Sequence, residues 1–217
     1  MIFFFPLILI IIFALFYTKI ANDFKIIDTP LERSSHDYNA KTGGGLTIIF
    51  SIIIWYVLSN QDTKYFFWGL LMLSIISYID DLYQLPKIPR LIFQILGAIL
   101  LIFSITTGDL SIFFVISLIL VIVGWLNVYN FMDGINGMAG IYALVSLISF
   151  FFFNERLEFT DQSLIVYSIM GLLIFGFFNF RKIAILFLGD VGSIAVAFIL
   201  SFLMFNLIIH TKQLAFI

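Results

Sequence analysis

The chain has 217 residues, of which 62% are hydrophobic and only 11% charged. Soluble domains run at about 45–50% and 25%, so the composition excludes a water-soluble fold and points to an integral membrane protein. A formal net charge of -2 gives no reason to expect a nucleic-acid partner, and the absence of cysteine excludes disulfides, thiolate metal sites and cysteine nucleophiles.

Apolar runs bounded by polar or Gly/Pro punctuation predict eight helical spans, at about residues 2–21, 43–59, 65–80, 91–106, 111–128, 138–153, 163–180 and 193–210. The fold expected is all-α, a polytopic membrane protein forming one membrane domain over residues 1–217. The first run has no basic residue before it and no small-x-small cleavage site after it, so it is read as a retained span. The many Phe and Ile residues supply lipid-facing and packing positions.

The connections after spans 1, 3, 5 and 7 fall on one side of the membrane and carry every polar cluster of interest. Lys19, Lys25, Arg33, Lys41, Lys87, Arg90, Arg181 and Lys182 lie there, eight of the eleven basic residues. By the positive-inside rule this side is cytoplasmic and both termini are outside. The opposite connections, Asn60 to Lys64, Thr107 to Leu110 and Asn154 to Gln162, are expected only to join spans.

Four clusters occupy the inner side. The first connection reads Asp28-Thr-Pro30-Leu-Glu-Arg33-Ser-Ser-His36 and ends in Gly43-Gly44-Gly45. Glycines entering a span permit close backbone approach to a ligand and leave amides free at a helix N-terminus, where an anion is favoured. A flexible turn is the alternative reading. Arg33, His36 and Lys41 make the loop suited to phosphate. The second cluster is Asp80-Asp81 at the edge of span 3, followed by Arg90 and Gln94, which are four apart and share one helix face. In the third, Asn127, Asn130, Asp133 and Asn136 recur every three residues and form a drifting polar stripe, with glycines that let the chain unwind. The fourth, Gly189-Asp190-Val-Gly192-Ser193, holds a carboxylate between two glycines at the entrance to a span.

Four aspartates beside Arg and Lys at one membrane face suggest a Mg²⁺-dependent phosphoryl-transfer site, since Mg²⁺ commonly takes one or two protein carboxylates together with substrate phosphates. The chain carries neither a His-Glu-x-x-His zinc motif nor a Walker loop.

Taken together, Asp28-x-Pro30-x-x-Arg33-Ser-Ser-His36, the Gly triplet, Asp80-Asp81, Asn127-x-x-Asn130-x-x-Asp133-Gly134 and Gly189-Asp190-x-Gly192-Ser193 resemble the polyprenyl-phosphate N-acetylhexosamine-1-phosphate transferases, glycosyltransferase family 4. The Arg-Ser-Ser-His loop and triple glycine look closest to the O-antigen-initiating branch. The resemblance implies transfer of a sugar-1-phosphate from a UDP-activated N-acetylated sugar to undecaprenyl phosphate, releasing UMP, in a bacterial plasma membrane. It makes Mg²⁺ the expected cofactor, with Mn²⁺ as a substitute, and a homodimer the expected assembly. By the same resemblance Asp190 and Asn130 are metal contributors. Asp80 and Asp81 are the pair that either deprotonates the lipid phosphate or shapes the metal site. Asn127, Asp133, Asn136, Arg33, His36, Gly44, Gly45 and Arg90 are placed with the substrates. The chain departs from the family pattern in having Asn39-Ala40-Lys41-Thr42 where a proline usually precedes the glycines, and Asn136 where Asp is usual. It is also expected to be C-terminally truncated, lacking the family's His-rich cytoplasmic loop and the spans around it. An inactive truncated homologue that binds lipid phosphate or nucleotide-sugar is the competing reading. A transporter would place its acids nearer span centres.

Overall fold

A computed structural model describes residues 3–28, 40–59, 63–106 and 110–211. Eight helices account for most of them: α1 (Phe4–Asp23), α2 (Leu46–Leu58), α3 (Lys64–Tyr83), α4 (Lys87–Ile105), α5 (Ile112–Met132), α6 (Met138–Leu157), α7 (Gln162–Asn179) and α8 (Gly189–Thr211). Among the described residues, all but α2 are long and apolar enough to cross a bilayer. The eight expected spans each correspond to one of these helices, so the protein is an all-helical polytopic membrane protein.

Local chemistry sets several of the ends. Ser111 and Asp161 stand at the N-caps of α5 and α7, where their side-chain oxygens accept from Phe114 N and Ser163 N. Gln84 (φ 51°) and Glu158 (φ 49°) close α3 and α6 in the left-handed region. Pro89 lies in the first turn of α4, where a missing N–H costs nothing.

The bundle is organised around α8, which is enclosed along most of its length and packs against α2, α3, α4, α5 and α6. Between helices in lipid there is no hydrophobic drive, so close approach depends on small side chains and on hydrogen bonds. Gly192, Ser193, Ala195, Ala197 and Ser201 of α8 are all buried and supply such a surface. A second group places α7 against α1, α2 and α6. By contrast α5 is enclosed only on a narrow stripe and turns Phe113, Phe114, Leu120 and Phe131 outward.

Three features differ from the sequence expectation. Gly43 to Gly45 precede α2 instead of opening it, and form a tight turn in which Leu46, Thr47 and Ile48 amides reach back three residues. Asp81, Asn130 and Asp190, expected in connections, lie on the terminal turns of α3, α5 and α8, next to Asp80 at the edge of its expected span. A helix need not stop at a polar residue whose partner comes from a neighbouring helix. Two short strands are also present, β1 (Ile27–Asp28) and β2 (Ala40–Lys41), paired antiparallel. Lys41 then bridges in parallel to Leu186, with Phe187 N donating to Lys41 O at 2.7 Å. The first and last inner connections are thus joined backbone to backbone. Two-residue strands carry no alternation from which they could be read.

At the opposite end, the connection expected only to join spans also ties helices together. Trp55 Nε1 of α2 donates to Asp161 Oδ2 at 2.7 Å and approaches Ser163 Oγ at 3.0 Å, while the buried Asn154 side chain bonds both N and O of Thr160. A hydrogen bond to a charged acceptor contributes about 1.5–3 kcal/mol. Trp55→Phe is therefore expected to destabilise the bundle by about 1.5–3 kcal/mol, read as a lower thermal midpoint of helix loss in detergent; an unchanged midpoint would show that the clasp carries no stability.

Candidate active site

Asp80, in the last turn of α3, is 6% exposed and fully engaged. Its Oδ1 accepts from Leu85 N at 2.6 Å across the Gln84 turn, and its Oδ2 pairs with Arg90 Nη1 at 2.9 Å. Asp81, one residue on, faces α8. Its Oδ1 accepts from Asp190 N at 2.9 Å and its Oδ2 from Val191 N at 3.1 Å. Arg90 continues from Asp80 to Asp190, with Nη2 3.5 Å from Asp190 Oδ2. Arg90 comes from the first turn of α4, as expected, but Gln94 one turn on is not in the acid cluster. It is buried and holds Asn127 of α5, whose Nδ2 donates to Gln94 Oε1 at 2.8 Å and to Val123 O.

From α5, Asn130 points at the entrance to α8. Its Oδ1 accepts from Ser193 Oγ at 3.0 Å, and its side chain reaches the Asp190 carboxylate. Asp190 therefore sits within side-chain reach of Asp80, Arg90 and Asn130. Just beyond α5, the Asp133 carboxyl is pushed well above the usual carboxylate range, first by burial and then by the charges of Asp190 and Asp81. Several carboxylates close together, with one arginine in contact, make a site whose unmet demand is for positive charge.

The remaining expected residues are placed differently. Asn136 is exposed and donates to Arg181 O at 2.9 Å, linking the α5–α6 and α7–α8 connections. The amides of Gly44 and Gly45 are not free for an anion: they donate to Phe187 O at 2.8 Å and Leu188 O at 3.0 Å. Both residues are buried, and a Cβ on Gly45 would overlap Gly192 Cα, so the glycines seat the first inner connection against α8. Arg33 and His36 lie outside the described residues. Two further contributors are Tyr17, which carries little signal in the sequence, and Ser193 of the fourth cluster. Tyr17, a hydroxyl within an apolar run, donates to Thr42 O at 2.8 Å and shares a hydrogen bond with Tyr78 beside Asp81. Ser193 braces Asn130.

Whether this set suits Mg²⁺ follows from which oxygens are already used. Among the described residues no three acidic or histidine side chains converge as a cage. Both oxygens of Asp80 and both of Asp81 have partners, whereas Asp190 has only the longer contact to Arg90 besides its neighbours Asn130 and Asp80. One carboxylate fits an ion that keeps several waters and takes the rest of its ligands from phosphates, and Asn130 Oδ1, which already accepts from Ser193 Oγ, has a second lone pair to add.

The fold and site define a membrane protein that gathers buried and half-buried acids, an arginine and an asparagine at one end of its bundle. Residues 63–208 match the model of Glycosyl transferase family 4. That stretch covers more than half of the chain and contains Asp80, Asp81, Arg90, Asn130 and Asp190, and the chain belongs to this family. It is similar to the phospho-N-acetylmuramoyl-pentapeptide-transferase of Lactococcus lactis subsp. cremoris (strain MG1363), with 29% identity covering 78% of this chain and 59% of the relative. The enzyme of the same name from Streptococcus pneumoniae (strain Taiwan19F-14) is 28% identical over 85% of this chain and 64% of its own length. That from Streptococcus suis (strain 05ZYH33) is 33% identical over 71% and 48%. The chain thus spans less than two thirds of the length of these curated relatives.

Proposed function

We propose that this protein transfers a sugar-1-phosphate from a UDP-N-acetylhexosamine-type donor to a polyprenyl phosphate such as undecaprenyl phosphate, releasing UMP and initiating a lipid-linked cell-envelope glycan. The observation that carries the reading is Asp190, whose oxygens, unlike those of Asp80 and Asp81, are not committed to backbone amides or a close ion pair, set against Asn130 and Arg90 within the family-matched stretch.

In this reaction a lipid-phosphate oxygen forms a bond to the sugar-bearing phosphorus of the donor, and the bond from that phosphorus to the UMP oxygen breaks. The attacking phosphate is already anionic, so the site must chiefly neutralise charge and align the two phosphates in line. Arg90 offers a planar guanidinium suited to bidentate phosphate binding, and Asp80 orients it. Asp133 lies close enough to Asp190 and Asp81 for their charges to act on it, which supports a place in the same site. Magnesium, or manganese, held by Asp190 with Asn130 would neutralise the donor diphosphate and favour departure of UMP. The basic inner connections support a cytoplasmic active end, with both termini on the opposite side.

The donor sugar separates two branches. The Arg33-Ser-Ser-His36 loop supports an O-antigen-type donor, whereas the relatives named above support a muramoyl-peptide donor. The test is UMP release by the purified chain in lipid, with undecaprenyl phosphate, Mg²⁺ and a panel of UDP-N-acetylhexosamines that includes the muramoyl-pentapeptide form. Metal-dependent release with one donor is expected, and it would name the sugar. A folded chain that binds donor and releases no UMP with any of them would overturn the transferase reading in favour of a binding homologue.

A further inference from the structure

We infer that Asp81 acts in the proposed transfer as a positioning residue: from α3 it caps the first turn of α8 and so aims Asp190. This rests on the transferase reading for its mechanistic meaning, but the cap itself rests on geometry.

The first amides of a helix have no partner within it and usually take one from a side chain just before the helix. α8 has no such side chain. Leu188 precedes it without a polar side-chain atom, Gly189 has no side chain, and the Asp190 carboxylate is turned to Arg90 and Asn130. The second and third amides of α8, those of Asp190 and Val191, are the pair that a local cap would bind. Asp81 takes both, one on each oxygen, at 2.9 and 3.1 Å, from more than a hundred residues away in sequence. The carboxylate also lies at the positive end of the α8 dipole.

A second observation shows that this contact is built in. Gly189 has φ +75°, and a Cβ there would stand 2.7 Å from Asp81 Oδ2 and 2.8 Å from Thr42 Oγ1. Glycine at this position is what admits the Asp81 carboxylate to the amides. Each oxygen keeps one lone pair beyond its amide, so any further contact made by Asp81 is made while it holds the turn that carries Asp190. The acid pair thus divides its work: Asp80 holds the guanidinium of Arg90, and Asp81 holds the backbone of Asp190.

The test uses the full chain in lipid nanodiscs with Asp81→Asn, in which one carboxylate oxygen becomes an NH₂ that cannot accept. The expected result has two parts. Amide hydrogen exchange at Asp190 and Val191 speeds up by about threefold to thirtyfold, the range of a lost cap. Mn²⁺ affinity, read from the free-ion electron paramagnetic resonance signal with the metal alone, falls by several-fold. Unchanged exchange and Mn²⁺ affinity together with lost UMP release would assign Asp81 to the chemistry and overturn the proposal. Gly189→Ala provides the second variant, for the case in which Asp81→Asn does not fold. It leaves every carboxylate in place and crowds Asp81 off the amides, so faster exchange and weaker Mn²⁺ binding are again expected; an unaltered response would equally overturn the cap. Neither readout requires turnover, so a wild-type chain that releases no UMP would defeat the transferase reading while the exchange and Mn²⁺ measurements still decide the role of Asp81.

Discussion

Asp190→Asn is expected to reduce Mg²⁺-dependent UMP release by about 10²–10³-fold or more, the usual cost of removing a group that stabilises charge developing in a transition state. Asp80 gives its oxygens to Leu85 N and Arg90, and Asp81 gives its own to the α8 amides. Of these three acids, Asp190 is the one with the most acceptor capacity left for a cation. Asparagine has nearly the same shape, and the α8 backbone remains capped by Asp81, so the bundle should survive the change. The check is an initial-rate measurement beside Mn²⁺ binding and the helical circular dichroism signal: a folded variant that neither turns over nor retains Mn²⁺ is expected, whereas undiminished turnover would remove Asp190 from the metal site. Because the Asp190 charge helps to push the Asp133 carboxyl up, the same variant should also lower the titration midpoint of Asp133. Carbon NMR of labelled aspartate would read that shift.

The largest effect on folding is expected at Gly45, where Gly45→Ala should cost about 3 kcal/mol or more, at the upper end of overpacking penalties. A Cβ there would overlap Gly192 Cα, stand 2.5 Å from Gly192 N and lie 3.1 Å from Leu188 O. All three are backbone atoms, so no rotamer change relieves the clash. Relief requires the start of α2 to move away from α8, which would strain the bonds from Gly44 N to Phe187 O and from Gly45 N to Leu188 O and displace the turn that carries Asp190. Gly124→Ala is the matched control. It lies in the interior of α5 with nothing within 4 Å of an added Cβ, and alanine there should be neutral or stabilising by up to about 1 kcal/mol. Thermal unfolding in detergent, monitored by circular dichroism, checks both. Equal midpoints for the two variants would show that the α2–α8 approach is looser than described.

The architecture was largely legible in the chain because the bilayer imposes a local rule. A span must be a run of apolar residues of about 20, interrupted where the chain meets water, and such runs can be counted without knowing what packs on what. Parity then places the connections after α1, α3, α5 and α7 at one end, and the contacts among Asp80, Arg90, Asn130 and Asp190 show that these ends do meet. The acids, the arginine and the asparagine could be singled out for the same reason, since polar residues at the edge of apolar runs have few alternatives to one another.

What the chain alone determined is therefore its class, its helices and the end of the bundle where its chemistry gathers. Only the tertiary structure decided how those polar groups divide into partners. It turned Asp81 to the amides of α8, Asp80 to Arg90, Asn127 away to Gln94, and the glycines of the first inner connection into a contact with α8. It also made α8 the enclosed helix and left α5 facing lipid, although both are apolar around their whole circumference. Transfer out of water does not distinguish one apolar helix from another once both are in the membrane. Small side chains that allow backbones to meet, and polar side chains paired across helices, make that choice, and each acts between residues far apart in sequence.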